Sequence, residues 1–190
     1  MRRALALLAS LFACTGDKPP EVATLPIGDA GLSPIVASND KPARTASRDD
    51  GDPSLPKAPT FSLASMTTSG KVEIAPGKVV IVDFWATWCE PCKKSFPKLQ
   101  ELYVKYKSSG LEIAAISVDD DLSNVAAFAR AYGARFPVGW DDGHQVTEQF
   151  KPETMPTTYI VDKQGRIRHV HRGYHDGEVE ELEREIKELL

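Results

Sequence analysis

From residue 78 the chain carries the apolar run Val79-Val80-Ile81-Val82, without the polar alternation of a half-solvated strand. Such a run predicts a strand over residues 78–84 covered on both faces. Residues 111–118 read the same way. Between them Phe96, Leu99, Leu102, Tyr103 and Tyr106 recur at helical spacing, predicting a helix from Pro91 to about residue 108. Pro97 lies inside that pattern and is expected to kink it, since it lacks an amide and crowds the previous turn. Strand, helix and strand of these lengths make a right-handed βαβ unit. Another helix is expected over 122–132, with Asp119, Asp120 and Asp121 as turn and capping acceptors. Residues 157–161 and 167–170 read as short strands joined by the turn Asp162-Lys163-Gln164-Gly165. The chain closes on a helix over 176–190 that turns Val179, Leu182, Ile186 and Leu189 toward the sheet. Residues 61–63 and 72–74 add an N-terminal strand or hairpin at the sheet edge. The class is α/β, a central mixed β-sheet flanked by helices.

The N-terminal part follows a different pattern. Met1-Arg2-Arg3 and an apolar run to Ala13, broken only by Ser10, have the form of a secretory leader. Residues 1–13 are therefore expected to be a signal peptide. Leu11-Phe12-Ala13-Cys14 resembles the bacterial lipobox, with Phe12 bulkier than the residues typical of that slot. Cys14 would then carry a lipid and hold the protein at a membrane surface; the alternative is an ordinary leader with an incidental cysteine. Residues 14–58 are interrupted by prolines at 19, 20, 26, 34, 42, 53 and 56, and read as a flexible tether rather than a small subdomain. The folded domain is expected over 59–190.

Composition narrows the options. The net charge of -4 supplies no basic face for a nucleic-acid partner. No stretch is long and apolar enough for a conventional membrane-spanning helix. Three cysteines are an odd number for an exported chain, and each has its own explanation: Cys14 as the anchor, Cys89 and Cys92 as a pair.

Trp88-Cys89-Glu90-Pro91-Cys92 follows the strongest strand and opens the first long helix. Two thiols at i and i+3 across a first helical turn come within disulfide reach. The orphan amides and the dipole of the helix terminus lower the pKa of the first thiol. Cys89 is thus expected to be the exposed nucleophile and Cys92 the resolving thiol. Pro91 near the first helical position suits that geometry. A structural zinc site needs two more suitable ligands; no cysteine remains in the domain, and His144, His169, His171 and His175 are not spaced like a finger. A purely structural disulfide would remove little chain entropy from so short a loop. No metal and no cofactor is expected.

Val82-Asp83-Phe84-Trp85-Ala86-Thr87-Trp88-Cys89-Glu90-Pro91-Cys92 resembles the active-site segment of the thioredoxin superfamily. The wider pattern, over about residues 59–190, is similar to the membrane-tethered TlpA/ResA family of envelope thiol-disulfide oxidoreductases. The resemblance implies a thioredoxin-like fold and a reduced protein that delivers electrons to disulfides of other envelope proteins, apocytochrome c among them. It also implies a membrane protein as electron donor and a periplasm-facing location. Met155-Pro156 matches the family's cis-proline position, which implies a loop beside Cys89 where Met155 and Pro156 meet the substrate chain. Trp88 is expected to support the loop and offer an apolar docking surface, with Trp85 divided between that role and core packing. Lys93 and Lys94 are expected to be solvated.

Asp83 interrupts a core strand, where an unpaired carboxylate is costly. It stands where ordinary thioredoxins have a buried carboxylate, and the resemblance implies a proton acceptor for Cys92. Desolvation should raise its pKa toward neutrality. The envelope family more often has Asn here and an acid three residues after the second cysteine; this chain has Ser95 there. Two rival functions are a thiol peroxidase, since the Phe61 region resembles the start of peroxiredoxin-type domains, and a binding or chaperone module without turnover.

Overall fold

The computed structural model describes residues 52–190. The leader, Cys14 and the tether as far as residue 51 lie outside the described residues. The run beginning at Val79 forms a seven-residue strand in which every residue is buried. With the flanking elements it establishes the order β1 (Ser62–Ala64), β2 (Lys71–Glu73), β3 (Val79–Trp85), α1 (Glu90–Tyr106), β4 (Leu111–Ser117), α2 (Val125–Ala131), β5 (Val138–Trp140), α3 (Gln145–Phe150), β6 (Thr157–Val161), β7 (Ile167–Arg172) and α4 (Glu178–Leu189). The main sheet runs β5-β4-β3-β6-β7. β3 and β4 are parallel, as are β4 and β5, whereas β6 is antiparallel to both β3 and β7. This is the thioredoxin-like mixed sheet expected from the sequence.

The strand at its centre is the one with the continuous apolar run, because only a central strand is covered on both sides. Around it Trp85, Phe96, Phe128 and Phe136 pack edge-on or tilted, with ring centroids 4.5 to 5.5 Å apart. Phe84, Phe150 and Tyr159 form a second aromatic group. α1 continues through Pro97 from Glu90 to Tyr106 and ends in a short 3-10 turn. In α4, Leu182, Ile186 and Leu189 are buried, and Val179 is partly buried against the core.

Several details differ from the sequence reading. Residues 122–124 form a 3-10 turn before α2 rather than helix proper, with Asp121 accepting from the Ser123 amide at 2.8 Å. β5 and α3 were not anticipated. β5 has only three residues, and the apolar positions of α3 amount to little more than one turn, so neither has a readable period. β1 and β2 pair as a separate hairpin laid over β5 instead of joining the sheet. That contact is close: a Cβ on Gly139 would sit 3.1 Å from Leu63 Cβ and from Val72 Cγ2. Residues assigned to the end of the tether are already docked. Arg166 Nη1 donates to the carbonyls of Pro53 and Leu55, and the Ile167 amide donates to the Pro56 carbonyl.

Candidate active site

The carboxyl ends of parallel strands are where an α/β sheet gathers its functional loops, and here β3 and β4 end side by side with Trp85 opposite Ser117. The chain leaves β3 through Ala86, Thr87 and Trp88 and enters α1 at Cys89, the N-cap residue. Cys89 is extended, and its sulfur accepts the Cys92 amide at 3.2 Å. Glu90 and Pro91 are the first two helical residues; proline fits there because an amide in the first turn has no intrahelical partner. Cys89 and Cys92 are joined as a disulfide with Cα atoms 5.3 Å apart.

Cys89 is 4% exposed and Cys92 fully buried. The expectation of an exposed Cys89 is corrected for this oxidised state: its sulfur is turned inward onto Cys92 and the helix amide. The residue open to solvent is its neighbour Trp88, at 69%. Trp85 is fully buried in the aromatic core, so packing accounts for it and it offers no docking surface. Lys93 is paired with Glu90 at 2.6 Å on the exposed side of the first turn, where the two charges offset each other. Ser95 donates to the Cys92 carbonyl at 3.2 Å.

Asp83 is fully buried in β3, opposite Ala115 on one side and Thr158 on the other. The Thr158 hydroxyl donates to Oδ1 at 2.7 Å, whereas Oδ2 has no partner among the described residues. Burial raises its pKa to about 7, against the lowering effect of the Thr158 hydrogen bond and with a smaller raising contribution from the charge of Glu178. A carboxyl of that pKa can exchange a proton near neutral pH.

The Met155-Pro156 peptide is cis, as the resemblance implied. Pro156 leads directly into β6, whose first residue Thr157 pairs with Phe84 near the end of β3. The antiparallel pairing thus brings the Met155-Pro156 loop to the end of the sheet from which Cys89 emerges. The Pro156 carbonyl accepts from the Gly173 amide at 2.8 Å, and the Thr154 carbonyl accepts from the Thr157 hydroxyl at 2.7 Å.

One group at this end was not anticipated. Asp119, read from the sequence as a turn or cap residue, is buried just beyond β4. Its carboxylate accepts the Thr87 amide at 3.0 Å, the Thr87 hydroxyl at 2.6 Å and the Ser117 hydroxyl at 2.7 Å. Its carbonyl accepts Trp140 Nε1 at 2.6 Å. Asp119 therefore braces the loop carrying Trp88 and Cys89 against β4 and β5. The signal was the one that singled out Asp83, an acid adjoining an apolar strand, but the neighbouring Asp120 and Asp121 obscured it. Among the described residues no group of acids, histidines and cysteines could hold a metal ion.

A model of the AhpC/TSA family matches residues 56–170. The thiol-disulfide oxidoreductase ResA of Bacillus subtilis (strain 168) is 38% identical over 112 residues, covering 58% of this chain and 62% of that protein. The protein of the same name from Bacillus thuringiensis subsp. konkukian (strain 97-27) is 34% identical over 135 residues, 70% of this chain and 76% of that one. The chain thus spans under two thirds of the Bacillus subtilis relative and about three quarters of the other. Among solved structures, a candidate thiol:disulfide interchange protein DsbE from Chlorobium tepidum superposes with a TM-score of 0.67 at 32% identity, covering 71% of this chain and 96% of that one. Fold and sequence agree, and the chain belongs to the AhpC/TSA family, as a thioredoxin-fold member homologous to the ResA-type thiol-disulfide oxidoreductases.

Proposed function

We propose that this protein is a thiol-disulfide oxidoreductase of the bacterial envelope that reduces disulfides of other envelope proteins. The observation that carries the reading is the Cys89–Cys92 disulfide at the N-terminus of α1, with the Cys89 sulfur on the Cys92 amide and the buried Asp83 in the preceding strand. In the reduced protein the helix terminus favours a Cys89 thiolate. That thiolate attacks a partner disulfide; a Cys89–partner bond forms, the partner's S–S bond breaks, and the released sulfur takes a proton from water. Cys92 then loses its proton to Asp83 and attacks Cys89. The Cys89–Cys92 bond forms and the second partner sulfur leaves with the electron pair, so two electrons have passed from the dithiol to the partner. Trp88 and the Met155-Pro156 loop hold the partner chain. Another dithiol protein, placed in the membrane, returns the oxidised pair to its reduced form.

The test is reduction of insulin or of an apocytochrome c disulfide by the reduced protein, with Cys89→Ser and Cys92→Ser beside the wild type. Cys89→Ser should be inactive, and Cys92→Ser should accumulate a mixed disulfide through Cys89 that is visible by mass spectrometry. Turnover by Cys89→Ser equal to wild type would sink the assignment. A reduction potential near that of thioredoxin supports a reductase, and one near that of a strong periplasmic oxidant reverses the direction. The AhpC/TSA match, which begins at residue 56, supports peroxide reduction as a second reading. Peroxide consumption by Cys89 far faster than by a small thiol would favour it. For localisation, the reading is that Cys14 is lipidated and the segment after it tethers the domain to a membrane, as far as the docked residues from Pro53 onward. Cys14→Ser should then move the protein from the membrane fraction to the soluble one.

A further inference from the structure

The chain passes from β3 into α1 through a four-residue turn, Ala86 to Cys89, closed by the Cys89 amide donating to the Ala86 carbonyl at 3.1 Å. Its two central residues differ in setting. Trp88 stands in solvent, whereas Thr87 is half-buried and turns its polar groups inward. The Thr87 amide and hydroxyl both donate to the Asp119 carboxylate, at 3.0 and 2.6 Å. Asp119 is itself fixed: it accepts the Ser117 hydroxyl at 2.7 Å, its amide donates to the same oxygen at 3.2 Å, and its carbonyl accepts Trp140 Nε1 at 2.6 Å. Two donors from one residue on one buried carboxylate fix the orientation of the turn as well as its position. Two residues further on, that orientation meets the chemistry. Cys89 is the N-cap of α1, with extended backbone, and its sulfur accepts the Cys92 amide at 3.2 Å. An N-cap side chain ordinarily has two amides to accept, those of the second and third helical residues. Here the second is Pro91, which has no amide, so Cys92 supplies the only one of the two. With a single such donor, a small rotation of the turn is enough to lose it.

We propose that Thr87, anchored by Asp119, is a positioning residue for Cys89: it fixes the turn so that the sulfur stays on the Cys92 amide, and so favours the attacking thiolate. The inference rests on the proposed disulfide chemistry. Thr87 touches no reacting atom and acts through the turn. A hydrogen bond to the charged form of a thiol favours that form. In the reduced protein the Cys89 proton goes to solvent, the thiolate keeps the Cys92 amide as its donor, and the first attack on a partner disulfide draws on that thiolate. The charge of Asp119 works in the opposite sense, since one negative group disfavours another nearby; its contribution is therefore geometric. The charged groups of the surrounding elements are unchanged by a substitution at Thr87. Glu90 with Lys93 on α1 at 2.6 Å, Asp120 with His144 beyond β4 at 3.2 Å, and Glu153 with Arg172 beside the Met155-Pro156 loop at 3.4 Å form pairs. Lys94, Asp83 and Asp119 stand beside them. A change in Cys89 ionisation on substituting Thr87 thus reports the orientation of the turn and not a lost or added charge.

The experiment compares the reduced wild-type protein with Thr87→Val, which keeps the branched shape and loses the hydroxyl, and Thr87→Ser, which keeps the hydroxyl. The rate of iodoacetamide alkylation at Cys89 is followed across about pH 5 to 9 by peptide mass spectrometry. Thr87→Val should move the midpoint of the profile up by about 0.5 pH unit or more, roughly a threefold loss of thiolate on the acid limb; Thr87→Ser should stay near wild type. An unchanged or lowered midpoint in Thr87→Val, or equal shifts in both variants, would overturn the inference. So would a Thr87→Val protein that unfolds at lower temperature yet alkylates with the wild-type profile, since that is the mark of a purely structural residue. A second measurement uses the wild type alone and decides the matter if Thr87→Val does not fold. In amide hydrogen exchange of the reduced protein, Thr87 and Cys92 should both be protected, and exchange of either at the rate of an open chain would overturn the positioning role. If the wild-type protein reduces no disulfide, the proposed function fails, yet the alkylation profiles still decide whether Thr87 sets the ionisation of Cys89.

Discussion

Replacing Asp83 with Asn separates the stability cost of this carboxyl from its chemistry. In the oxidised fold burial lifts its pKa from 3.8 to about 7. A group whose folded pKa lies above its unfolded value supports the fold only while protonated. That support is complete below pH 3.8 and is lost as the pH rises toward and through 7. Each pKa unit is worth about 1.4 kcal/mol, so the full penalty above neutrality is about 4 kcal/mol. Less than half of it has already appeared by pH 5, leaving about 2–3 kcal/mol to appear between pH 5 and 8. The amide of Asn keeps the acceptor for Thr158 but places an NH2 where Oδ2 now has no partner. That could cost about 1–3 kcal/mol at every pH, so the comparison must use the pH dependence and not the absolute difference. Urea unfolding of wild type and Asp83→Asn, with the disulfide intact, should show the variant gaining about 2–3 kcal/mol relative to wild type between pH 5 and 8. Parallel stability curves over that range would mean that Asp83 titrates normally and could not serve as the base for Cys92. In the proposed mechanism the same substitution slows resolution by Cys92 below about pH 8 while changing the first attack by Cys89 less.

Asp119→Ala removes the acceptor for the Thr87 amide and for the Thr87 and Ser117 hydroxyls. It should destabilise the domain by about 2–4 kcal/mol in chemical denaturation and lower disulfide turnover. Gly139→Ala drives a methyl group against Leu63 and Val72 at 3.1 Å, and should cost about 1–3 kcal/mol with little effect on a small disulfide substrate. Trp88 is 69% exposed, so Trp88→Ala should change stability by less than about 0.5 kcal/mol. If Trp88 docks the partner chain, the variant should raise KM for a protein disulfide and leave a small one unchanged.

The sequence by itself determined the parts of this protein that depend on neighbouring residues. The apolar run from Val79 to Val82 can be satisfied only in a doubly covered strand, and the structure places it at the sheet centre. The spacing of Cys89 and Cys92 on the first turn of α1 predetermined their pairing, and an acid inside a core strand announced an altered pKa at Asp83. Short elements were not legible: β5 has three residues and α3 six, too few to display a period, and both are held by contacts from elsewhere. Only the tertiary structure could decide what distant residues do to one another. It joined Asp119 to Thr87 across 32 residues and turned Trp85 into the core while leaving Trp88 in solvent. It also set Glu178, more than ninety residues along the chain, into the field of Asp83. Burial and electrostatics are properties of the packed neighbourhood, which local periodicity does not encode.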